Sequence, residues 1–202
     1  MRLPGTLNLA EPLEILKRAA IIYTAECIIL GKKLGAKLVS LPLGYYKNGI
    51  DKDLVINRAI NDIQSIAVFA RKEKILLAVE NAKYLSKDSE FSYLGDNIKD
   101  LEQVFNIIKS PYVKFCLDAG RANTSEGPVK YFKSLKDRLV MLRYSDNYGR
   151  KDDMLGVEKG TIDWEELTSV IRKENFNGPL ISNVSTRSVS ESKQDIEKFF
   201  NN

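Results

Sequence analysis

Charged and amide side chains follow several of the apolar segments of this chain, where they could bind a ligand or move a proton. Segments such as ILLAVEN (75–81) and VKFCLDAGR (113–121) end in carboxylates, an amide or a guanidinium. Carboxylates can act as general bases or ligate metal ions, and guanidinium groups bind phosphate or carboxylate groups through paired hydrogen bonds. The candidate residues for such chemistry are Arg2, Glu80, Asn81, Asp118, Arg121, Arg143, Asp146 and Asn183.

The chain contains no histidine. This excludes a Ser-His-Asp triad, a Cys-His dyad and any zinc site that uses imidazole. Its two cysteines, Cys27 and Cys116, lie far apart in apolar segments, so we expect two buried thiols in a reducing compartment. Acid–base chemistry would therefore depend on Asp, Glu, Lys, Tyr or Cys.

Length and composition predict one globular domain over the 202 residues. Hydrophobic residues make up 44% and charged residues 29% of the chain, which excludes a disordered chain and a disulfide-stapled miniprotein. The net charge of +4 gives little reason to expect nucleic-acid or anionic-membrane binding. No signal-peptide pattern is present, and the longest apolar stretch, Ala19 to Leu30, is too short to span a bilayer. We therefore expect a cytoplasmic protein.

Apolar segments alternate with helical patterns along the whole chain. The predicted strands are residues 36–44, 75–81, 113–120, 139–147 and 177–184. The predicted helices are residues 11–34, 52–72, 96–109, 129–136, 163–175 and 191–200, with a polar loop at 82–94. Asp163 and Glu166 have the spacing of a helix capping box. One face of the first helix carries Ile15, Ala19, Ile22, Glu26 and Ile29.

The predicted strands are continuous apolar runs, which indicates a parallel sheet buried on both faces and hence an α/β fold. The carboxyl ends of parallel strands meet at one edge, where ligands bind in such folds. The polar residues at the strand ends would then lie close together. They would form either a ligand-binding site or a structural network of ion pairs.

Five motifs occur in order along the chain: LLAVEN (76–81), LDAGR (117–121), RYSDN (143–147), KDDMLGVEKGTIDW (151–164) and GPLISNV (178–184). They resemble motifs of the xylose isomerase-like TIM barrels, which include metal-dependent sugar isomerases and epimerases and AP endonucleases of the endonuclease IV type. The resemblance implies a single (β/α) barrel domain over residues 1–202. It begins at the family's third strand, so we expect an incomplete, N-terminally truncated barrel of about six parallel βα units. A second copy or a partner chain would cover the open edges. The alternatives are that the fold closes differently or that the start of the sequence is placed too late.

The resemblance also implies a metal site, in which several ligand types have been exchanged. The family's metal-ligating carboxylates correspond to Glu80, Asp118 and Asp152. Its histidines correspond to Arg121, Arg143, Met154 and, by its place near the start, Arg2, and its final glutamate corresponds to Asn183. Because a guanidinium cannot ligate a metal ion, we expect that no cofactor is bound and that arginines replace the metal's charge. The alternative is weak binding of Mg²⁺ or Mn²⁺ by the remaining carboxylates.

Three functions are compatible with this pattern. The first is a sugar or sugar-phosphate isomerase or epimerase relative with a degraded metal site, which binds an anionic or sugar-like small molecule through Arg2, Arg121 and Arg143. Catalysis would then use Glu80 or Asp118 as the base, with an arginine as the electrophile. The second is a non-catalytic binding or scaffold protein on the same fold. The third, AP endonuclease-like DNA repair, is disfavoured because its zinc cluster needs histidines.

Overall fold

The computed structural model describes residues 1–184 and 189–201. Its strands are β1 (Leu38–Leu41), β2 (Tyr45–Lys47), β3 (Leu76–Glu80), β4 (Phe91–Tyr93), β5 (Val113–Asp118), β6 (Leu139–Tyr144) and β7 (Leu180–Ser182). Its helices are α1 (Glu14–Lys33), α2 (Lys52–Glu73), α3 (Ile98–Ile107), α4 (Ala119–Asn123), α5 (Pro128–Leu135), α6 (Trp164–Lys173) and α7 (Val189–Asn201), with a 3₁₀ turn at Lys136–Arg138.

Five strands form one parallel sheet in the order β1-β3-β5-β6-β7. The N-terminal segment extends this sheet, because Arg2 forms a parallel bridge with Ser40 and the backbone N–H of Leu3 donates to the Ser40 carbonyl at 2.9 Å. Helices connect the successive strands of this sheet. The sheet curls into part of a barrel, which confirms the predicted α/β fold with an incomplete TIM-barrel architecture.

The two faces of the sheet bury different sets of side chains. Leu77, Val79, Phe115 and Leu117 belong to the main apolar core, whereas a small separate cluster contains Ala78, Cys116 and Met141. Since side chains alternate along a strand, the face that carries the small cluster continues at the carboxyl ends of three strands to Glu80, Asp118 and Arg143. The fold thereby collects the polar side chains of separate strands on one face. Cys27 and Cys116 are buried free thiols.

Three short elements differ from the predicted pattern. Strands β2 and β4 pair antiparallel with each other, and β4 lies in the segment predicted as a polar loop. Each has three residues and depends on a partner more than 40 positions away, so no local periodicity indicates it. Helix α4 begins directly after β5, where the predicted strand continues to residue 120. The Asp118 side chain causes the change, since Oδ1 accepts from the backbone N–H of Arg121 at 3.2 Å and caps the helix.

The other helices lie within a few residues of their predicted positions. The predicted capping residue, Asp163, accepts a hydrogen bond from the backbone N–H of Glu166 at 2.8 Å. Helix α1 packs against the sheet through Thr24, Cys27, Ile28 and Gly31, so its Ile15/Ile22/Ile29 face points to solvent. Among the described residues, no helix is both long enough and apolar enough to cross a membrane.

Candidate functional site

Three arginines converge on the carboxylate of Glu80 at the carboxyl end of β3. Arg2 donates to Oε2 from Nη2 at 3.0 Å and from Nε at 3.2 Å. Arg121 donates to Oε2 at 3.0 Å, and Arg143 donates to Oε1 at 3.1 Å. We call Arg2, Arg121 and Arg143 the arginine cluster. Both oxygens of Glu80, a residue only 2% exposed, therefore accept charge-assisted hydrogen bonds.

Each member of the arginine cluster comes from a different element. Arg2 lies in the N-terminal segment beside β1, and Arg143 lies in β6. Arg121 lies in the first turn after β5, because Asp118 ends the strand and caps α4. The register of the parallel sheet places Arg143 directly beside Asp118. The polar side chains at the strand ends therefore lie close together, as predicted. The position of Arg121 among them depends on the short helix α4, which the sequence pattern did not indicate.

Two more carboxylates approach the cluster. Asp118 Oδ2 lies 4.0 Å from Arg2 Nη2 and 3.7 Å from Arg121 Nε. Asp152 Oδ2 lies 3.6 Å from Arg121 Nε. Asn183 donates to Asp118 Oδ2 at 3.2 Å and accepts from Arg2 Nη1 at 3.4 Å, which joins β7 to the same network. Three guanidinium groups therefore face three carboxyl groups.

The two central carboxyl groups have opposite pKa shifts. Burial raises the pKa of Glu80, but the three guanidinium groups outweigh it and hold this pKa below its ordinary value. Burial raises the pKa of Asp118 to about 6. The negative charges of Asp152 and Glu80 also raise this pKa, whereas the positive charge of Arg121 lowers it. Glu80 is thus a weak base at neutral pH, whereas the raised pKa of Asp118 makes its carboxylate the stronger base of the two.

Asn81 and Asp146 bond mainly to the backbone around the site. Asn81 donates to the Asp118 carbonyl at 3.0 Å and accepts from the Asp118 N–H at 2.7 Å. Asp146 accepts from Trp164 Nε1 at 2.9 Å and from the Ile162 N–H at 3.2 Å. These bonds fix the end of β5 and the loop that leads to α6. In the structure both side chains position the site's backbone.

A cavity of about 310 Å³ opens beside the arginine cluster. Of the residues predicted to bind ligand or metal, Arg121 and Asp152 line it. The others lie outside its lining: Arg2, Glu80, Asn81, Asp118, Arg143, Asp146 and Asn183. Its other polar lining side chains are Thr6, Lys83 and Tyr93. Lys83 follows the end of β3, a position that could have indicated it. Tyr93 lies in β4, which no local pattern indicates.

Several buried polar atoms in and around the arginine cluster lack a hydrogen-bond partner within the part of the chain that the structure describes. They are Arg121 Nε, Arg143 Nε, Ser145 Oγ and Asp152 Oδ1. Buried polar groups are normally satisfied by protein, water or ligand.

The donor set does not match a divalent metal site. Within residues 1–184 and 189–201, no group of three or more His, Cys, Asp or Glu side chains is arranged to hold a metal ion. Both oxygens of Glu80 already accept from guanidinium groups, which are cations and supply no lone pair. The carboxylates that remain are separated by the arginine cluster.

Comparison with known proteins identifies the relatives of this fold. A family model described as "Xylose isomerase-like TIM barrel" matches residues 1–200. An uncharacterized protein of Sinorhizobium fredii is 29% identical over 124 residues, which are 61% of this chain and 37% of that protein. An uncharacterized protein of Methanocaldococcus jannaschii is 20% identical over 169 residues, which are 84% of this chain and 63% of that protein. The chain thus spans less than two thirds of the length of these two relatives.

Solved structures of sugar epimerases share the fold. A D-tagatose 3-epimerase-like protein superposes with a TM-score of 0.90 at 20% identity, over 99% of this chain and 76% of that one. The IOLI protein, solved with a zinc atom, has a TM-score of 0.81 at 14% identity, over 99% of this chain and 74% of that one. A D-psicose 3-epimerase has a TM-score of 0.76 at 16% identity, over 98% and 74%. At these identities the likeness establishes the fold alone.

Proposed function

The chain belongs to the family of xylose isomerase-like TIM barrels, and on that premise we propose that it is a sugar or sugar-phosphate isomerase- or epimerase-like protein in which arginines have taken the place of the metal ion. The proposed ligand is a small, sugar-like molecule that carries a phosphate or carboxylate group. It would occupy the cavity beside Arg121.

The main support for the proposal is that both carboxylate oxygens of Glu80 accept hydrogen bonds from the arginine cluster. Four hydrogen bonds of 3.0–3.2 Å hold a carboxylate that the resemblance assigns to the metal. The three guanidinium groups supply positive charge at that position without an ion. A divalent metal ion would have to displace them and repel the cations that remain.

Charge and shape favour an anionic ligand in the cavity. Lys83 and Arg121 both line it, so a phosphate or carboxylate group could accept hydrogen bonds from both. Asp152 and the hydroxyl groups of Thr6 and Tyr93 lie around the same space and suit the hydroxyl groups of a sugar. The volume of about 310 Å³ is at the lower end of ordinary ligand pockets.

A non-catalytic binding protein is the second candidate, and the state of Glu80 favours it. The depressed pKa of Glu80 makes it a poor proton acceptor. Asp118 has a pKa raised to about 6, but its carboxyl group is fully buried outside the cavity lining. A proton transfer would therefore depend on Asp152, or on a rearrangement that brings Asp118 to the ligand.

Calorimetric titration with sugar phosphates, sugar acids and the corresponding neutral sugars tests the proposal. We expect binding of an anionic ligand and none of its neutral counterpart, and we expect at least tenfold weaker binding after Lys83→Gln. Lys87→Gln is the matched control, because Lys87 lies in the same loop outside the cavity lining. Equal binding of neutral and anionic sugars, or equal effects of the two substitutions, would contradict the proposal.

Hydrogen exchange separates the two candidates. Incubation of the bound ligand in D₂O, followed by NMR, detects deuterium at the carbon beside a carbonyl group if the protein abstracts a proton there. Exchange that is lost in Asp152→Asn would favour an isomerase or epimerase. Tight binding without exchange would favour the binding protein.

A further inference from the structure

The two cationic side chains that line the cavity beside the arginine cluster differ in how far their charge is already compensated. Arg121 Nη1 lies 3.0 Å from Glu80 Oε2. Its Nε lies 3.7 Å from Asp118 Oδ2 and 3.6 Å from Asp152 Oδ2. Around the ammonium nitrogen of Lys83, no carboxylate of residues 1–184 or 189–201 lies within 4.0 Å. Lys83 therefore supplies the uncompensated positive charge of the cavity.

A tight turn of the N-terminal segment contributes Pro4, Gly5 and Thr6 to the same lining. The backbone N–H of Leu7 donates to the Pro4 carbonyl at 3.1 Å and closes the turn. The side chains of Leu3 and Leu7 are buried on either side of it, so the core holds the turn in place. In the part of the chain that the structure describes, the N–H groups of Gly5 and Thr6 donate to no protein acceptor. These two N–H groups and the Thr6 hydroxyl are available to a ligand.

The backbone is held on both sides of Lys83. The N–H of Ala82 donates to the Gly95 carbonyl at 2.9 Å. The N–H of Tyr84 donates to Thr124 Oγ1, also at 2.9 Å. Because the backbone is fixed, only the side chain of Lys83 loses freedom when its ammonium group binds an anion.

We propose that the turn at residues 4–7 and Lys83 form a phosphate subsite. The subsite rests on the proposed function, whose ligand it specifies as a sugar or polyol phosphate with its hydroxyl groups directed to Arg121 and Asp152. The available donors are one ammonium group, one hydroxyl group and two backbone N–H groups. Such a set suits a tetrahedral group with three terminal oxygens better than a planar carboxylate with two.

The opposite orientation of the ligand would place the phosphate against a carboxylate. Asp152 Oδ2 lies 3.6 Å from Arg121 Nε, so a dianion that bound this guanidinium would also approach Asp152 and be repelled by it. Hydroxyl groups carry no charge, and each can donate to Asp152 and accept from Arg121. The uncharged end of the ligand therefore fits the side of the cavity next to the arginine cluster.

Titration of the 202-residue chain with inorganic phosphate at neutral pH, followed by calorimetry and by NMR of the backbone amides, tests the subsite. We expect one phosphate per chain with a dissociation constant on the order of 1 mM, and downfield shifts of the Gly5 and Thr6 amide protons. Lys83→Gln should weaken this binding roughly tenfold and Thr6→Val roughly threefold, because each removes one donor. Lys87→Gln, outside the cavity lining, should leave it unchanged. Absence of binding, or Gly5 and Thr6 amides that do not shift, overturns the proposal.

Glycerol 3-phosphate and glycerate test the ligand class, because each carries two hydroxyl groups and they differ in the anionic group. We expect the phosphate ester to bind roughly tenfold more tightly. Asp152→Asn should weaken binding of the ester and leave that of inorganic phosphate unchanged. If sugar acids bind as tightly as sugar phosphates, the phosphate subsite is wrong although the proposed function stands. If inorganic phosphate binds at the turn and no sugar phosphate binds, the proposed function fails and the assigned ligand fails with it.

Discussion

Replacing Glu80 with glutamine removes one negative charge from the centre of the arginine cluster and leaves the shape of the side chain almost unchanged. Glu80 accepts four hydrogen bonds from three guanidinium groups, whose side chains are 27%, 17% and 11% exposed. Breaking a buried ion pair by removing one partner costs about 3–5 kcal/mol, because the other charges stay buried and unpaired. We expect Glu80→Gln to lower the free energy of unfolding by about this amount at pH 7.5.

Urea unfolding in a buffer of low ionic strength measures this loss. Glu90→Gln is the control, because the Glu90 carboxylate pairs with Lys47 at 3.1 Å where both side chains are more than 60% exposed. Such a surface pair contributes about 1 kcal/mol or less. Sulfate or phosphate should restore part of the stability of Glu80→Gln by binding the uncompensated guanidinium groups. A loss no larger than that of Glu90→Gln, or no response to these anions, would show that the arginine cluster does not depend on the Glu80 charge.

Three further changes test the surroundings of the site. Asp118→Asn should become more stable relative to the wild type by about 2 kcal/mol as pH rises from 4 to 7, because the pKa of Asp118 is raised from 3.8 to about 6 in the folded state, so the wild type loses stability between those two pH values. A pH-independent difference in urea unfolding would contradict this. Trp164→Phe should lower the free energy of unfolding by about 1–3 kcal/mol, because the buried Asp146 carboxylate loses its indole donor. A thermal melt with the wild-type midpoint would contradict this prediction. Gly160→Ala should lower the melting midpoint far more than Gly5→Ala. A Cβ at residue 160 would clash with backbone atoms of Asn147, whereas no atom lies near a Cβ at residue 5. Equal midpoints for the two variants would show that the loop around residue 160 relaxes freely.

The parallel sheet could be predicted from sequence because its strands are continuous apolar runs between helices. The small strands β2 and β4 could not, because each gains its hydrogen bonds from a distant partner. Helix α1 shows a related limit. It is apolar around most of its circumference, so its period indicates a helix but not which face is buried, and the residues that pack on the sheet include Thr24 and Gly31.

In the site, too, local sequence patterns predicted some residues, whereas others depend on contacts between distant segments. Glu80, Asp118 and Arg143 could be placed together because they lie at the carboxyl ends of strands that run side by side, and the structure brings them together. The direction of Arg121 depends on α4, and Tyr93 reaches the cavity through the β2–β4 pair. No hydrophobic period or motif spacing indicates the direction of Arg121 or the position of Tyr93, so the cavity lining could be identified only from the three-dimensional structure.

The replacement of a metal ion by the arginine cluster is tested most directly by calorimetric titration of the purified, chelator-treated chain with Mn²⁺, Mg²⁺, Zn²⁺ and Co²⁺. We expect no stoichiometric binding and no rise in the melting midpoint with any of these ions. Binding of one ion per chain that is lost in Glu80→Gln would show that the carboxylates still form a metal site and that the arginine cluster has not replaced the ion.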